Sequence, residues 1–275
     1  MTRRPPRLAR VLSSALAAGA LLAAAACSQD GTDKDGSRAA GVTASPVAQK
    51  RQTPSPTATL TEAGARTALI TEADIEDDWT QVKDTEAENW NDALLIGTVD
   101  VSDFLTAKAD AADCQRLVDS LFDDDLLGRP SGANALRGFT QGDSRLLHQV
   151  GSYDRTDPQD SLNWMAKLPQ ECDRFTMTED GEERTVQVIE TSLPDVGDAR
   201  EGLRVTVQGP TDGVQATLTL DVAAVRVGND AITVTAGGLD GDEHDSVEQA
   251  VKLGTQRLKD VLAGKSPAST PSEIQ

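Results

Sequence analysis

The apolar and polar positions change period several times along this chain. Cys114, Leu117, Val118 and Leu121 fall at i, i+3, i+4 and i+7, which predicts a helix over about residues 109–122 with one buried stripe. Val247, Val251, Leu258, Val261 and Leu262 make a second such stripe. Its helix is expected to start after Asp245, with Ser246 and Gln249 as a capping box. A third helix is expected after Asp157, with Pro158 at its first position and Leu162 and Met165 turned inward, ending near Cys172. A short helix is expected from Thr71, with Asp74 at N3 spacing, Ile70 and Ile75 stapling the turn and Trp79 packed behind it.

Between these stretches the period drops to two. Residues 134–141 and 145–153 flank Gly142-Asp143, and residues 175–178 and 184–191 flank Asp180-Gly181; both read as hairpins. Leu203, Val205 and Val207 alternate, as do Leu218, Leu220 and Val222. The parity then shifts to Ala223, Val225 and Val227. A one-residue shift flips the buried face, so a β-bulge is expected near Val222-Ala223. Gly228-Asn229 turns the chain into Ile232 and Val234. Hairpins with helices segregated between them predict an α+β fold with an antiparallel sheet.

The two ends of the chain do not share this patterning. Residues 1–10 carry four Arg and no acid, and residues 11–26 are an alanine-rich apolar run. That pairing reads as a signal peptide over residues 1–26. Ala24-Ala25-Ala26 stand directly before Cys27, which resembles a bacterial lipobox. In such signals the Cys becomes the lipidated N-terminus, so Cys27 is expected to anchor the chain to the outer face of the cell membrane. Arg3-Arg4 followed by Pro5-Pro6 leaves the export route open. Residues 28–60 hold 20 Ser, Thr, Pro, Ala or Gly among 33, too few large apolar groups to offset ordering entropy. The expected layout is a lipidated Cys and linker over 27–64, a folded domain over 65–263 and a tail over 264–275. Export places Cys114 and Cys172 in an oxidising space, where the pair reads as a disulfide closing a loop of roughly 60 residues.

The order of short motifs adds to this picture. Residues 68–75 (ALITEADI) precede Trp79. Cys114 sits on a helix, and Glu171-Cys172-Asp173-Arg174-Phe175 follow the first hairpin. Leu193-Pro194-Asp195-Val196-Gly197-Asp198 and Arg226-Val227-Gly228-Asn229-Asp230 come later. Over residues 65–263 this order resembles the extracellular sensor domain of the mycobacterial serine/threonine kinase PknH and its actinobacterial lipoprotein relatives. The resemblance implies a twisted antiparallel sheet, a cleft that takes a ligand, and a bond between Cys114 and Cys172. The kinase's second cysteine pair is missing here, as is a kinase domain, so a signalling role does not transfer.

Composition narrows the function further. The chain carries 26 Lys+Arg against 45 Asp+Glu, a net charge of -19. Four of the basic residues and none of the acids precede Cys27, so the chain from Cys27 onward stands at 22 against 45. Such a surface excludes a nucleic-acid binder, which needs clustered Lys and Arg. Residues 71–125 hold 17 acids and three bases, including Glu76-Asp77-Asp78 and Asp123-Asp124-Asp125; they read as a solubilising face, with a cationic partner as the alternative. Of the two histidines, His148 reads as a strand residue. His244 closes Asp240-Gly241-Asp242-Glu243-His244-Asp245, a run that offers oxygen ligands but departs from calcium-loop spacing, and reads as an acidic turn before a helix. Gly142-Asp143-Ser144 reads as a hairpin turn rather than an esterase motif.

No catalytic residue, metal ligand or cofactor is assigned, and the ligand-binding residues are unknown at this level. The expected function is a membrane-anchored extracytoplasmic lipoprotein with a non-catalytic ligand-binding or sensor-like domain. Its partners are the membrane, through Cys27, and an unknown small molecule or envelope protein. The alternatives are an envelope hydrolase with a dispersed site and a protein-interaction lipoprotein using its acidic face.

Overall fold

The computed structural model describes residues 59–75, 78–90, 95–96, 99–100, 108–154, 156–179, 181–211, 213–239 and 241–268. These belong to the compact unit Gln52–Gln275. Cys27, the signal and most of the linker expected before the domain, Glu76, Asp77, Asp180, Asp240 and the end of the tail lie outside the described residues.

The chain opens with α1 (Glu62–Ala68), where the Thr61 hydroxyl accepts the Gly64 N–H at 3.1 Å. Leu60 is buried, so packed structure reaches residues expected in the linker. At Thr71 the expected short helix is a single 3-10 turn, Glu72–Asp74. The Asp74 carboxylate accepts the Thr71 N–H and hydroxyl, both at 2.8 Å. Ile70, Ile75 and Trp79 are all buried around the turn. Then come β1 (Thr80–Gln81), α2 (Asp84–Glu88), the small ladder β2 (Leu95–Ile96) and β3 (Val99–Asp100), and β4 (Lys108–Ala109). Next is α3 (Ala112–Phe122), which buries Cys114, Leu117, Val118 and Leu121 as its spacing predicts.

The first hairpin is β5 (Asn134–Gln141) with β6 (Ser144–Ser152). After α4 (Asp157–Met165) and the short α5 (Leu168–Glu171), the second hairpin is β7 (Arg174–Glu179) with β8 (Glu182–Glu190). Three long strands follow, β9 (Ala199–Thr211), β10 (Val214–Val227) and β11 (Asp230–Leu239), and α6 (His244–Leu262) closes the domain. Among the described residues nine strands form one antiparallel sheet in the order β1-β5-β6-β11-β10-β9-β8-β7-β4. The α+β architecture is therefore as expected, and Cys114 is bonded to Cys172 across α3 and α5, with Cα atoms 5.6 Å apart.

The expected bulge at Val222-Ala223 is absent. β10 pairs with β11 in unbroken register from Leu218 to Val227, and with β9 from Val214 to Arg226. The parity change has a different cause, because the middle of the sheet is covered on both faces. Leu218, Leu220 and Val222 lie in a core with α3, α4 and α5. Ala223, Val225 and Val227 lie in a second core with α1 and α6. Each end of β10 is apolar towards the layer that covers it, so no residue needs to be inserted.

The expected capping box of the last helix is also replaced. α6 starts at His244, and Ser246 lies inside it. The Ser246 hydroxyl instead accepts the Trp79 indole N–H at 3.2 Å, and the Gln249 amide donates to the Asp74 carbonyl at 3.1 Å. Gln249 therefore holds the helix to the 3-10 turn, and Ser246 holds it to the Trp79 that follows. Arg257 completes the docking. Its guanidinium donates to the carbonyls of Leu69 at 2.8 Å and Thr67 at 3.1 Å, and stands 3.2 Å from the Asp74 carboxylate. Carbonyls at the open end of α1 are satisfied in this way.

Candidate functional site

The segment between β8 and β9, residues 191–198, stands beside the first half of α6 as a second wall. Between them lies a groove of about 650 Å³ lined by Leu193, Pro194, Asp245, Glu248, Gln249, Lys252 and Leu253. A second groove of about 510 Å³ lies on the other side of Leu193, along Glu190, Thr191, Ser192, Ala199, Arg200, Glu201 and Gly202. Both volumes are in the range of small-molecule sites.

The wall at 191–198 is held at both ends. At its start, the Thr191 N–H donates to the Gly202 carbonyl at 3.0 Å. Gly202 permits this close lie, since a Cβ there would meet the Thr191 carbonyl oxygen at 2.8 Å and Leu193 Cγ at 2.9 Å. At its end, Gly197 has φ +74° and presses on β10, where a Cβ would meet Val225 Cγ1 at 2.3 Å. The Asp198 N–H donates to the Arg226 carbonyl at 2.8 Å, and the Asp198 carboxylate accepts the Gly228 N–H at 2.7 Å. Leu193 and Val196 pack on the α6-side core, and Arg200 pairs with Asp195 at 2.8 Å. The motifs at residues 193–198 and 226–230, far apart in sequence, thus form one structural unit.

The charges around the grooves are mostly acidic. Burial and the neighbouring Glu190 raise the Glu201 carboxyl above its ordinary range, while Arg200 lowers it in part. Glu248 stands 3.4 Å from His244 Nε2. Lys252 is exposed. Beside the grooves, buried Asp221 receives Arg204 through two hydrogen bonds, 2.8 and 3.0 Å, and also accepts the Glu243 N–H at 3.2 Å. The hydrogen bond to Asp221 is the main cause that raises the Arg204 pKa. Arg204 also holds Asp242.

Those contacts give the acidic run before α6 partners of its own. Asp242 faces Arg204, Glu243 offers its backbone to Asp221, and His244 faces Glu248. The groups have separate partners, and among the described residues no cluster of three His, Cys, Asp or Glu could hold a metal. At the Asp123-Asp124-Asp125 cluster, Asp124 has φ 55°, and burial together with Asp123 and Asp125 pushes its carboxyl up to about 8. Ser144 sits in the hairpin after Gly142-Asp143, as its motif predicts.

His148 is a strand residue of β6, as expected. It is fully buried on the α6 side of β6, opposite Arg137 of β5. Neither ring nitrogen has a protein hydrogen-bond partner, and the buried hydroxyl of Thr255 on α6 also lacks one. Burial, then the charges of Arg137 and Arg257, push the imidazole down to about 3, against a smaller opposing pull from Asp74. It is therefore neutral at ordinary pH. The sequence pattern missed this burial because α6, a hundred residues later, supplies the cover.

No family model matches the chain, and no curated protein matches it. Among solved structures it is similar to the extracellular domain of PknH from Mycobacterium tuberculosis, at 13% identity and a TM-score of 0.36, covering 66% of this chain and 97% of that one. It is also similar to an uncharacterized protein of Mycobacterium smegmatis, at 16% identity and a TM-score of 0.39, covering 72% of this chain and 96% of that one.

Proposed function

We propose that this protein is an exported lipoprotein, anchored through Cys27, whose domain binds a ligand without catalysis in the groove between residues 191–198 and α6. The observation that carries the reading is the fixed wall. Gly197, Gly202 and Asp198 fasten residues 191–198 to β9 and β10, so this wall has a fixed place beside α6 and the groove is preformed. A preformed site spares a ligand the cost of ordering the protein. The lining supports binding, since Leu193, Pro194 and Leu253 supply apolar contact area beside a few polar groups. The cysteine bond supports an oxidising location. No described helix is long and apolar enough to cross a membrane, which fits attachment by a lipid.

The test uses N-phenyl-1-naphthylamine, a neutral apolar fluorophore. The purified protein should give a saturable rise in emission that Leu253→Asp abolishes while circular dichroism stays native. No rise, or an equal rise in the variant, would overturn the reading.

A further inference from the structure

The two grooves meet at Leu193 and share one charge pattern. On the helix side, Asp245 and Glu248 stand with Lys252 around Leu253. On the strand side, Glu190 and Glu201 stand with Arg200. Each side thus presents two carboxylates and one base. Arg200 is already held by Asp195, which belongs to neither lining, and its charge is offset there. Leu193 is common to both linings and joins them, and Pro194 and Leu253 add apolar surface on the helix side.

We propose that the joined groove binds an extended cationic peptide, with Leu193 and Leu253 against an apolar side chain and the carboxylates of Glu190, Glu201, Asp245 and Glu248 around flanking basic residues. This rests on the reading of the groove as a ligand site and names the chemistry of its occupant. Two features favour a cation. First, Glu190 and Glu201 repel one another beside the groove, and a cation between them offsets that repulsion. Second, the whole chain is at -19, so its field draws basic partners towards it. The charge alone would hold a polyamine as readily, but the apolar surface at Leu193 gives an alternating peptide a contact that a polyamine leaves unused.

The peptide also meets bases, which sets a limit on its sequence. Lys252 is exposed at the helix wall and opposes a basic residue placed directly over it. The favoured peptide therefore carries its charges towards Asp245 and towards Glu190, at the two ends of the groove.

The experiment measures displacement of N-phenyl-1-naphthylamine by an acetylated peptide of alternating Lys and Leu, with a Glu–Leu peptide as control. The Lys–Leu peptide should displace the fluorophore and the Glu–Leu peptide should not. Glu190→Gln with Glu201→Gln should weaken the Lys–Leu peptide by about tenfold, with greater loss at low salt than at high salt. An equal charge change elsewhere, Glu88→Gln with Asp113→Asn, should leave it within about twofold. Equal weakening in both double variants would overturn the proposal, because the peptide would then be answering to net charge. So would equal binding of the two peptides. If the fluorophore binds and neither peptide displaces it, the groove stands and the cationic class fails. If the fluorophore itself does not bind, the groove reading falls too. Both double variants remove only partly or fully exposed charges, and circular dichroism confirms that each is folded.

Discussion

Gly254 of α6 lies directly over the imidazole of His148; a Cβ on Gly254 would stand 2.5 Å from Nε2. A glycine in the middle of a helix costs about 1 kcal/mol against alanine. Here that cost is offset by close approach of the helix to β6, which seals the buried histidine and sets how near α6 comes to the sheet.

Gly254→Ala should therefore destabilise the protein by about 1–3 kcal/mol, despite the gain in helix propensity. In a His148→Ala background the same change should be neutral or stabilising. Urea unfolding of the four proteins of this cycle measures the coupling. Equal effects in both backgrounds would show that the contact is not the cause.

The same histidine predicts a pH dependence. Its folded pKa, about 3, lies below the ordinary unfolded value of about 6.5. The unfolded chain therefore binds the proton first, and stability should fall as pH drops from about 6.5 towards 3. His148→Leu should flatten that part of the curve, measured by urea unfolding at stepped pH.

Asp124 acts in the opposite direction. Its carboxyl, pushed up to about 8, holds a proton in the folded state that the unfolded chain has lost above about 4. Its contribution to stability should decline as pH rises from about 4 to 8. Asp124→Asn should stabilise the protein above neutrality, and Asn also suits the positive φ better. Thermal melts of both proteins at pH 5 and pH 8 test the sign.

The bond between Cys114 and Cys172 spans 58 positions. Replacing both by Ala should cost about 4 kcal/mol in the chain-entropy model. Urea unfolding measures the loss, and thiol counting on the denatured, unreduced wild type should find neither of the two free.

Radiolabelled palmitate should enter the wild-type protein in its host and not Cys27→Ala, and the variant should leave the membrane fraction. A wild type that takes up no label would remove the anchor from the account.

Most of the fold was legible in the sequence. The stripe at Cys114, Leu117, Val118 and Leu121, Pro158 at a helix start and the Gly142-Asp143 and Gly228-Asn229 turns all carry local signals, and the structure has elements there. What escaped depends on the layer packed above. The change of parity in β10 reads as a bulge until helices are placed on both faces. Ser246 and Gln249 have the spacing of a cap but are taken by Trp79 and Asp74. The two-residue strands β1 and β4 are too short to carry a period. The groove has no local signature, because its walls, Leu193 and Leu253, are joined only by the fold. Its supports Gly197 and Asp198 lie in a motif that carries the family resemblance, but their partners Val225, Arg226 and Gly228 are brought to them only by the fold.

The groove is the central claim, and nuclear magnetic resonance tests it most directly. The ¹⁵N-labelled protein is titrated with N-phenyl-1-naphthylamine. The account predicts saturable shifts concentrated at the amides of Leu193, Gly202, Glu248 and Leu253. Shifts centred on α2 and α3, or none that saturate, would contradict it.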